Sequence, residues 1–292
     1  MPTSPFFERS ARPERAERSK FGSGAGSGAA VVGRAAVVVV FLTPVAFLVL
    51  GSLRAVGIPP AKGFELIPEG AGFEAYRALN DHIPIGLLLR NSALVALVAV
   101  PLTVLVASWA GFAMAQLPRR ARTVALAATL GMLVIPLPLV WVPRFVLYNR
   151  LGVIDSLVPL MAPALAATTP FTVLLTYRAF RRVPPELFEA ARLEGAGALS
   201  TWWRIGLPLV RSTTTAVAAI ALALHWGNYL DALLYVRTPG NRTLPLGLSQ
   251  LAGLDTNDAP ILLAGAVVLT LPPLLLLALV QRPLLGAVQG ER

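Results

Sequence analysis

Six apolar stretches, separated by short polar or charged segments, set the layout of this 292-residue chain. They run near Ala35–Leu53, Ala93–Met114, Val124–Val142, Leu157–Tyr177, Thr213–Val236 and Pro260–Val280. Crossing a hydrocarbon core of roughly 30 Å takes about 20 apolar helical residues, and each stretch reaches or approaches that length. In lipid every backbone N–H and C=O must be paired within its own segment, so the pattern predicts helices and not an open sheet. The expected fold class is all-α, a polytopic membrane protein of six transmembrane helices. Pro44, Pro101, Pro136, Pro138, Pro163 and the Pro272-Pro273 pair predict kinks or local unwinding. Kinked spans suit a moving bundle, although proline is also simply common in membrane helices.

Composition narrows the chemistry. The chain is 55% hydrophobic and 14% charged, which excludes an ordinary soluble domain. It has no cysteine, so disulfides, thiol nucleophiles and thiolate metal sites are excluded, and its two histidines lie far apart, at 82 and 225. No metal or bound cofactor is expected. The net charge of +10 is carried by residues flanking the apolar stretches, which points to membrane topology and not to nucleic acid. Residues 1–33 read as a flexible basic tail, with Arg9, Arg12, Arg15, Arg18 and Lys20 before a glycine- and serine-rich run. That run is no phosphate loop, because Lys20 and Lys62 are followed by Phe21 and Gly63 and not by Ser or Thr. The first apolar stretch shows no convincing small-residue cleavage site, so an uncleaved span is expected, and Pro2 excludes an N-terminal myristoylation motif.

With the N-terminus inside, the inner segments hold 17 Lys and Arg residues and the outer ones 8. The positive-inside rule then places both termini in the cytoplasm. The segment from Arg54 to Arg90 is the longest outer one, with Phe64, Phe73 and Tyr76 expected on the membrane surface.

The longest polar-containing interruption of the second half, about 178–212, falls on the inner side. Pro184 and Pro185 can start a helix, with Glu186 and Glu189 near its positive end, and the helix is expected over Glu186 to Glu194. Gly195 and Gly197 permit a sharp turn, Ser200 is expected to cap a second short helix, and Pro208 leads into the next span. Glu189-Ala190-Ala191, then Gly195, then Ile205-x-Leu207-Pro208 resembles the EAA loop of the membrane subunits of binding-protein-dependent ABC importers. The resemblance implies the type I importer permease fold. In that family the loop is a cytoplasmic helix docked into a cleft of the ATP-hydrolysing subunit. On that reading Glu186, Glu189 and Glu194 supply charge, Ala190 and Ala191 a small close-approach surface, and Gly195 the turn.

The resemblance covers nearly everything from Ala35 onward. Arg90-Asn91-Ser92 at the entrance to the second span, Asn149 to Val153, Pro170-Phe171, Arg242 to Leu248 and the closing Gln281 to Gly286 with Gly290 all fall where the family has similar residues. It points to the carbohydrate-uptake branch and to the shorter permease type, similar to the smaller membrane subunit of the maltose importer. Two positions depart from it: Glu194 stands where the family has Asp, and Arg211 where a proline often follows. The implied partners are two ATP-binding subunits carrying ATP and Mg, a second permease and an extracytoplasmic solute-binding protein, in a bacterial cytoplasmic membrane. A stand-alone ion-driven carrier is the alternative; no internal repeats or coupling-ion site are evident for it.

Polar residues inside the apolar stretches concentrate in the fifth, at His225, Asn228, Tyr229 and Asp231, beside Trp226. An acid deep in lipid costs about 2.5–3.5 kcal/mol, so it faces a cavity or a partner. Asn228 and Asp231, three apart, share a face, and His225 lies three before Asn228 and drifts slightly around. That face lines the translocation path or the contact with the second permease, or else it only hydrogen-bonds helix to helix.

Overall fold

The computed structural model describes residues 25–59 and 67–289, and side chains within 31–59 and 67–278. The described residues are helical with connecting turns. The described residues divide into two units, one up to Val49 and one from Leu50 onward. In the first, α1 (Ala25–Ser52) is apolar on every side and carries Pro44 within it. Residues 1–24 of the basic tail lie outside the described residues, but Ala25–Gly33, assigned to that tail from sequence, are helical. Their alanines and valines continue the apolar run.

The second unit is built on α3 (Ile85–Gln116), which follows the short α2 (Glu74–His82). Helix α3 starts eight residues before the predicted span, because Pro84 caps it and Ile85 to Leu89 extend the apolar run. Arg90-Asn91-Ser92 therefore lies within the helix and not at its entrance. Next come α4 (Arg119–Val134) and α5 (Leu137–Arg150), then α6 (Val158–Met161), a 3-10 turn over Ala162–Ala166, and α7 (Pro170–Phe180). Two short helices follow, α8 (Pro185–Leu193) and α9 (Ala198–Thr201). The second continues through a π-helical turn, Trp202–Gly206, into α10 (Leu207–Leu209). The chain ends with α11 (Arg211–Trp226), α12 (Leu230–Tyr235), α13 (Leu244–Leu248) and α14 (Ala259–Gln289). Side chains of the closing motif at 281–290 lie outside the described residues.

Among the described residues four segments are long and apolar enough to cross a membrane, and six if two bent pairs each count as one span. The predicted third span is one such pair, since α4 and α5 meet at 93° where Pro136 forces extended backbone. The fourth is interrupted at Ala167 and Thr168, both in the left-handed region with φ of 58° and 61°. The fifth is not one helix either: it stops at Gly227 and restarts at Leu230. Pro44, Pro101 and the Pro272-Pro273 pair, by contrast, sit inside continuous helices. At the last pair the helix compensates, because Pro273 supplies no N–H to the Leu269 carbonyl and the Trp226 indole donates to it at 2.9 Å.

The core forms along α3. Ala99, Thr103, Ala107 and Gly111, four residues apart, are all buried and let α7 and α11 approach closely. Such small residues hold membrane helices together where no hydrophobic force does. Thr176 of α7 donates across this seam to the Ala107 carbonyl at 2.7 Å.

At the Ile85 end of α3, two buried polar residues hold a loop. Asn91 Nδ2 donates to the Gly240 and Arg242 carbonyls at 2.8 and 2.9 Å, and Ser92 Oγ accepts from Leu244 N–H at 2.8 Å. Two motifs far apart in sequence are thus one clamp. Tyr76, expected on the membrane surface, instead meets Ser52 Oγ at 2.8 Å, because α2 buries Ala75 and Leu79 against the bundle and turns Tyr76 inward. Phe73 is exposed as expected, and Phe64 lies outside the described residues.

Candidate functional site

Helix α8 lies at the other end of α3. Pro185 stands in its first turn, where a missing N–H costs nothing, and Gly195 ends it with φ of +82°, a conformation that only glycine adopts freely. The observed Pro185–Leu193 agrees with the expected Glu186 to Glu194 within a residue. One face is tied down. Phe188 packs edge-on to Phe112 with ring centroids 5.6 Å apart, Ala191 is buried beside it, and Arg192 donates to the Gln116 side chain at the end of α3.

The opposite face is free of the protein. Glu186, Leu187, Glu189, Ala190, Leu193 and Glu194 are exposed, Leu193 to 89%. The two alanines thus part company: Ala190 is presented outward, whereas Ala191 faces its own bundle, because Ala191 falls one turn from Phe188 on the anchored side. Leu187 and Leu193 were missed in the sequence. The signal was a nine-residue helix with apolar residues on two faces, more than one packing surface needs.

Beyond Gly195 the second short helix begins at Gly197, whose extended backbone (ψ 162°) forms the cap, so Ser200 lies inside the helix and caps nothing. Ile205 and Leu207 are half-buried and pack against the Phe112, Phe180 and Trp202 cluster, and Pro208 is exposed. The chain then turns 87° into α11. Pro208 therefore sits in the last turn before the bend and does not open the span.

The fifth-span residues do not share one face, because the helix breaks between them. His225 is buried and turned toward the interrupted fourth span: its Nε2 meets Thr168 Oγ1 at 2.9 Å and its Nδ1 the Leu160 carbonyl at 3.2 Å. Thr168 in turn meets Thr103 of α3. This polar chain ties the left-handed break to two other helices. Asn228 and Asp231 bond each other instead, the Asn228 amide donating to Asp231 Oδ2 at 3.0 Å and its oxygen accepting from Asp231 N–H at 3.2 Å. That is a capping pair, satisfying one of the amides freed where α12 begins, the Asp231 N–H. Tyr229 is exposed. An apolar cavity of about 420 Å³ lies between α3, α11 and α14, lined by Leu97, Pro101, Leu222, Trp226 and Leu277. None of His225, Asn228, Tyr229 and Asp231 lines it.

Among the described residues no three His, Asp or Glu side chains meet. The arrangement offers contact surfaces and hydrogen bonds.

A third constellation, at the Ile85 end, was not foreseen. Asp155 stands in the left-handed region (φ 60°) and its carboxylate accepts from the Arg237 and Thr238 N–H groups at 2.8 and 2.7 Å and from the Thr238 hydroxyl. Those donors lower its pKa to about 2, the Thr238 side-chain bond contributing most. A depressed carboxylate stabilises the fold above its unfolded pKa, and that contribution is lost as pH falls through the folded one. Asp155→Asn keeps the left-handed backbone and removes the charge. Its thermal midpoint should lie below that of the wild type at pH 6, and the gap should close between pH 3.8 and about 2. Parallel midpoints across that range would contradict the assignment.

Residues 104–284 match the family described as binding-protein-dependent transport system inner membrane component, a match that includes all of α8. The chain is 34% identical over 203 residues to a putative ABC transporter permease protein of Streptomyces antibioticus, covering 68% of this chain and 87% of that one. It is 28% identical over 219 residues to the lactose transport system permease protein LacG of Rhizobium radiobacter, covering 75% and 80%. Its fold is similar, with a TM-score of 0.70 at 18% identity over 90% of this chain and 98% of the other, to a chain of a bacterial ABC transporter involved in alginate import. A match over more than half the sequence, on a bundle of membrane-spanning helices, settles the class: this multi-pass membrane protein belongs to the family of inner membrane components of binding-protein-dependent transport systems.

Proposed function

We propose that this chain is one of two membrane subunits of an ATP-driven importer for a sugar or related carbohydrate, moving solute by alternating access. The observation that carries the reading is α8: a short helix anchored to its own bundle by Phe188 and Ala191 while an acidic and apolar face is left open. That face is the docking surface for an ATP-binding subunit, which holds ATP and Mg and performs hydrolysis. Closure of two such subunits would pull α8 and, through α7, tip the bundle. The excess of Lys and Arg on the α8 side, 17 against 8, supports a cytoplasmic α8 and cytoplasmic termini. The names of relatives support a carbohydrate, among them permeases for lactose, diacetylchitobiose and arabinooligosaccharides. A solute-binding protein on the other side delivers the cargo; a similar fold occurs in an alginate transporter solved with its sugar-bound periplasmic protein.

The test is reconstitution in liposomes with candidate ATPase, permease and binding-protein subunits. Sugar accumulation that needs internal ATP and the loaded binding protein is expected. Accumulation by the chain alone, driven by an ion gradient, would replace this reading with a secondary carrier.

A further inference from the structure

The run from Ala198 to Leu209 lies across the bundle, at 87° to α11, and its level relative to α3 can be read from two aromatic contacts and one hydrogen bond. Trp202 packs edge-on to Trp109 at 5.1 Å, whereas α8 meets α3 at Phe112 and Gln116. Trp109 lies three residues inside Phe112, so the Trp202 end of the crossing helix reaches about 4.5 Å, one turn of α3, deeper than the Phe188 contact, at 1.5 Å per residue. The two short helices are layered: α8 outermost, the crossing helix beneath it.

Its outward residues suit that depth. Leu199, Trp203 and Leu209 are exposed to 64%, 57% and 50%, and Trp109 beside them is itself 39% exposed. Arg204 follows Trp203, and Arg211 stands at the bend. Both are exposed and make no ion pair among the described residues, and the run between them contains no acid. Apolar and tryptophan side chains with arginines alongside are what a helix lying in a membrane interface presents.

We propose that this crossing helix is a lipid-binding element, with Leu199, Trp203 and Leu209 set into the acyl boundary and Arg204 and Arg211 holding anionic phospholipid headgroups. The acidic α8 serves a protein partner and the basic crossing helix the membrane. The inference rests on the reading of α8 given above, because it assigns the neighbouring surface to lipid and not to the ATPase.

The test uses the full chain purified with its ATPase subunits from membranes containing phosphatidylglycerol and phosphatidylcholine, followed by quantification of retained lipid. The wild type should retain phosphatidylglycerol above its bulk fraction by roughly fivefold for each arginine engaged. Arg204→Gln with Arg211→Gln should return the ratio to bulk while the ATPase stays bound, and Arg204→Lys with Arg211→Lys should keep it. Two results overturn the proposal: no enrichment in the wild type, or a Gln pair that keeps its phosphatidylglycerol. If the Gln pair loses the ATPase and keeps the lipid, the surface belongs to the ATPase. Loss of ATPase from α8 variants with enrichment intact would bear on docking alone.

Discussion

Leu193→Asp is expected to leave the permease folded and to abolish ATP-driven uptake. The side chain is 89% exposed, so its removal from this chain's own packing is nearly silent. In an assembled transporter it would be a central apolar anchor of α8, flanked by Glu186, Glu189 and Ala190. Truncating such anchors costs roughly 2 kcal/mol or more, which is about 30-fold in affinity, and a carboxylate forced into a dry cleft adds to that. Glu189→Lys should weaken docking less, as a rim charge. Gly195→Trp acts twice: its φ of +82° strains any side chain by about 1–2 kcal/mol, and the indole then projects into space this chain leaves open. Uptake with Leu193→Asp at the wild-type rate would remove α8 from the coupling path.

The second large effect is on the fold. A Cβ at Gly111 would lie 2.6 Å from the Tyr177 N and 2.8 Å from the Thr176 carbonyl carbon, both backbone atoms that no rotamer change can move. Gly111→Leu must therefore force α3 and α7 apart, costing about 3 kcal/mol or more from overpacking and breaking the Thr176 to Ala107 bond. We expect a permease recovered in low yield with a clearly lower thermal midpoint in detergent. Gly131→Leu is the control, since a Cβ there meets nothing within 4 Å. Equal midpoints for the two variants would mean that the small-residue seam of α3 does not hold the bundle.

What could be read from sequence divides along physical lines. Hydropathy sums the transfer of side chains into lipid, so it found the apolar stretches. It is blind to direction, and so it missed the 93° turn at Pro136 and the break at Gly227. The prolines did signal irregularity, but whether one bends a span depends on neighbours: Trp226 repairs the carbonyl that Pro273 orphans, whereas nothing straightens the chain at Pro136. The helical-face argument joining His225, Asn228 and Asp231 failed at that break, where Asn228 and Asp231 became a cap and His225 a strut to Thr168. The α8 segment was legible because its start, turn and spacing are set locally, by Pro185 and Gly195. Which of its faces stays open was not, since Phe112 and Gln116 arrive from 76 residues away.

The absence of cysteine makes the central claim directly measurable, because Leu193→Cys introduces the sole thiol of the chain. The measurement is the rate of maleimide labelling of that thiol, with the permease alone and in a complex shown to contain the ATPase. Leu151→Cys, exposed at the far end of α5, provides the reference. If α8 docks as proposed, assembly slows labelling at 193 by about tenfold or more, as water is excluded from an interface core, and leaves 151 unchanged. Labelling at 193 that proceeds as fast in the complex as in the free permease would contradict the account.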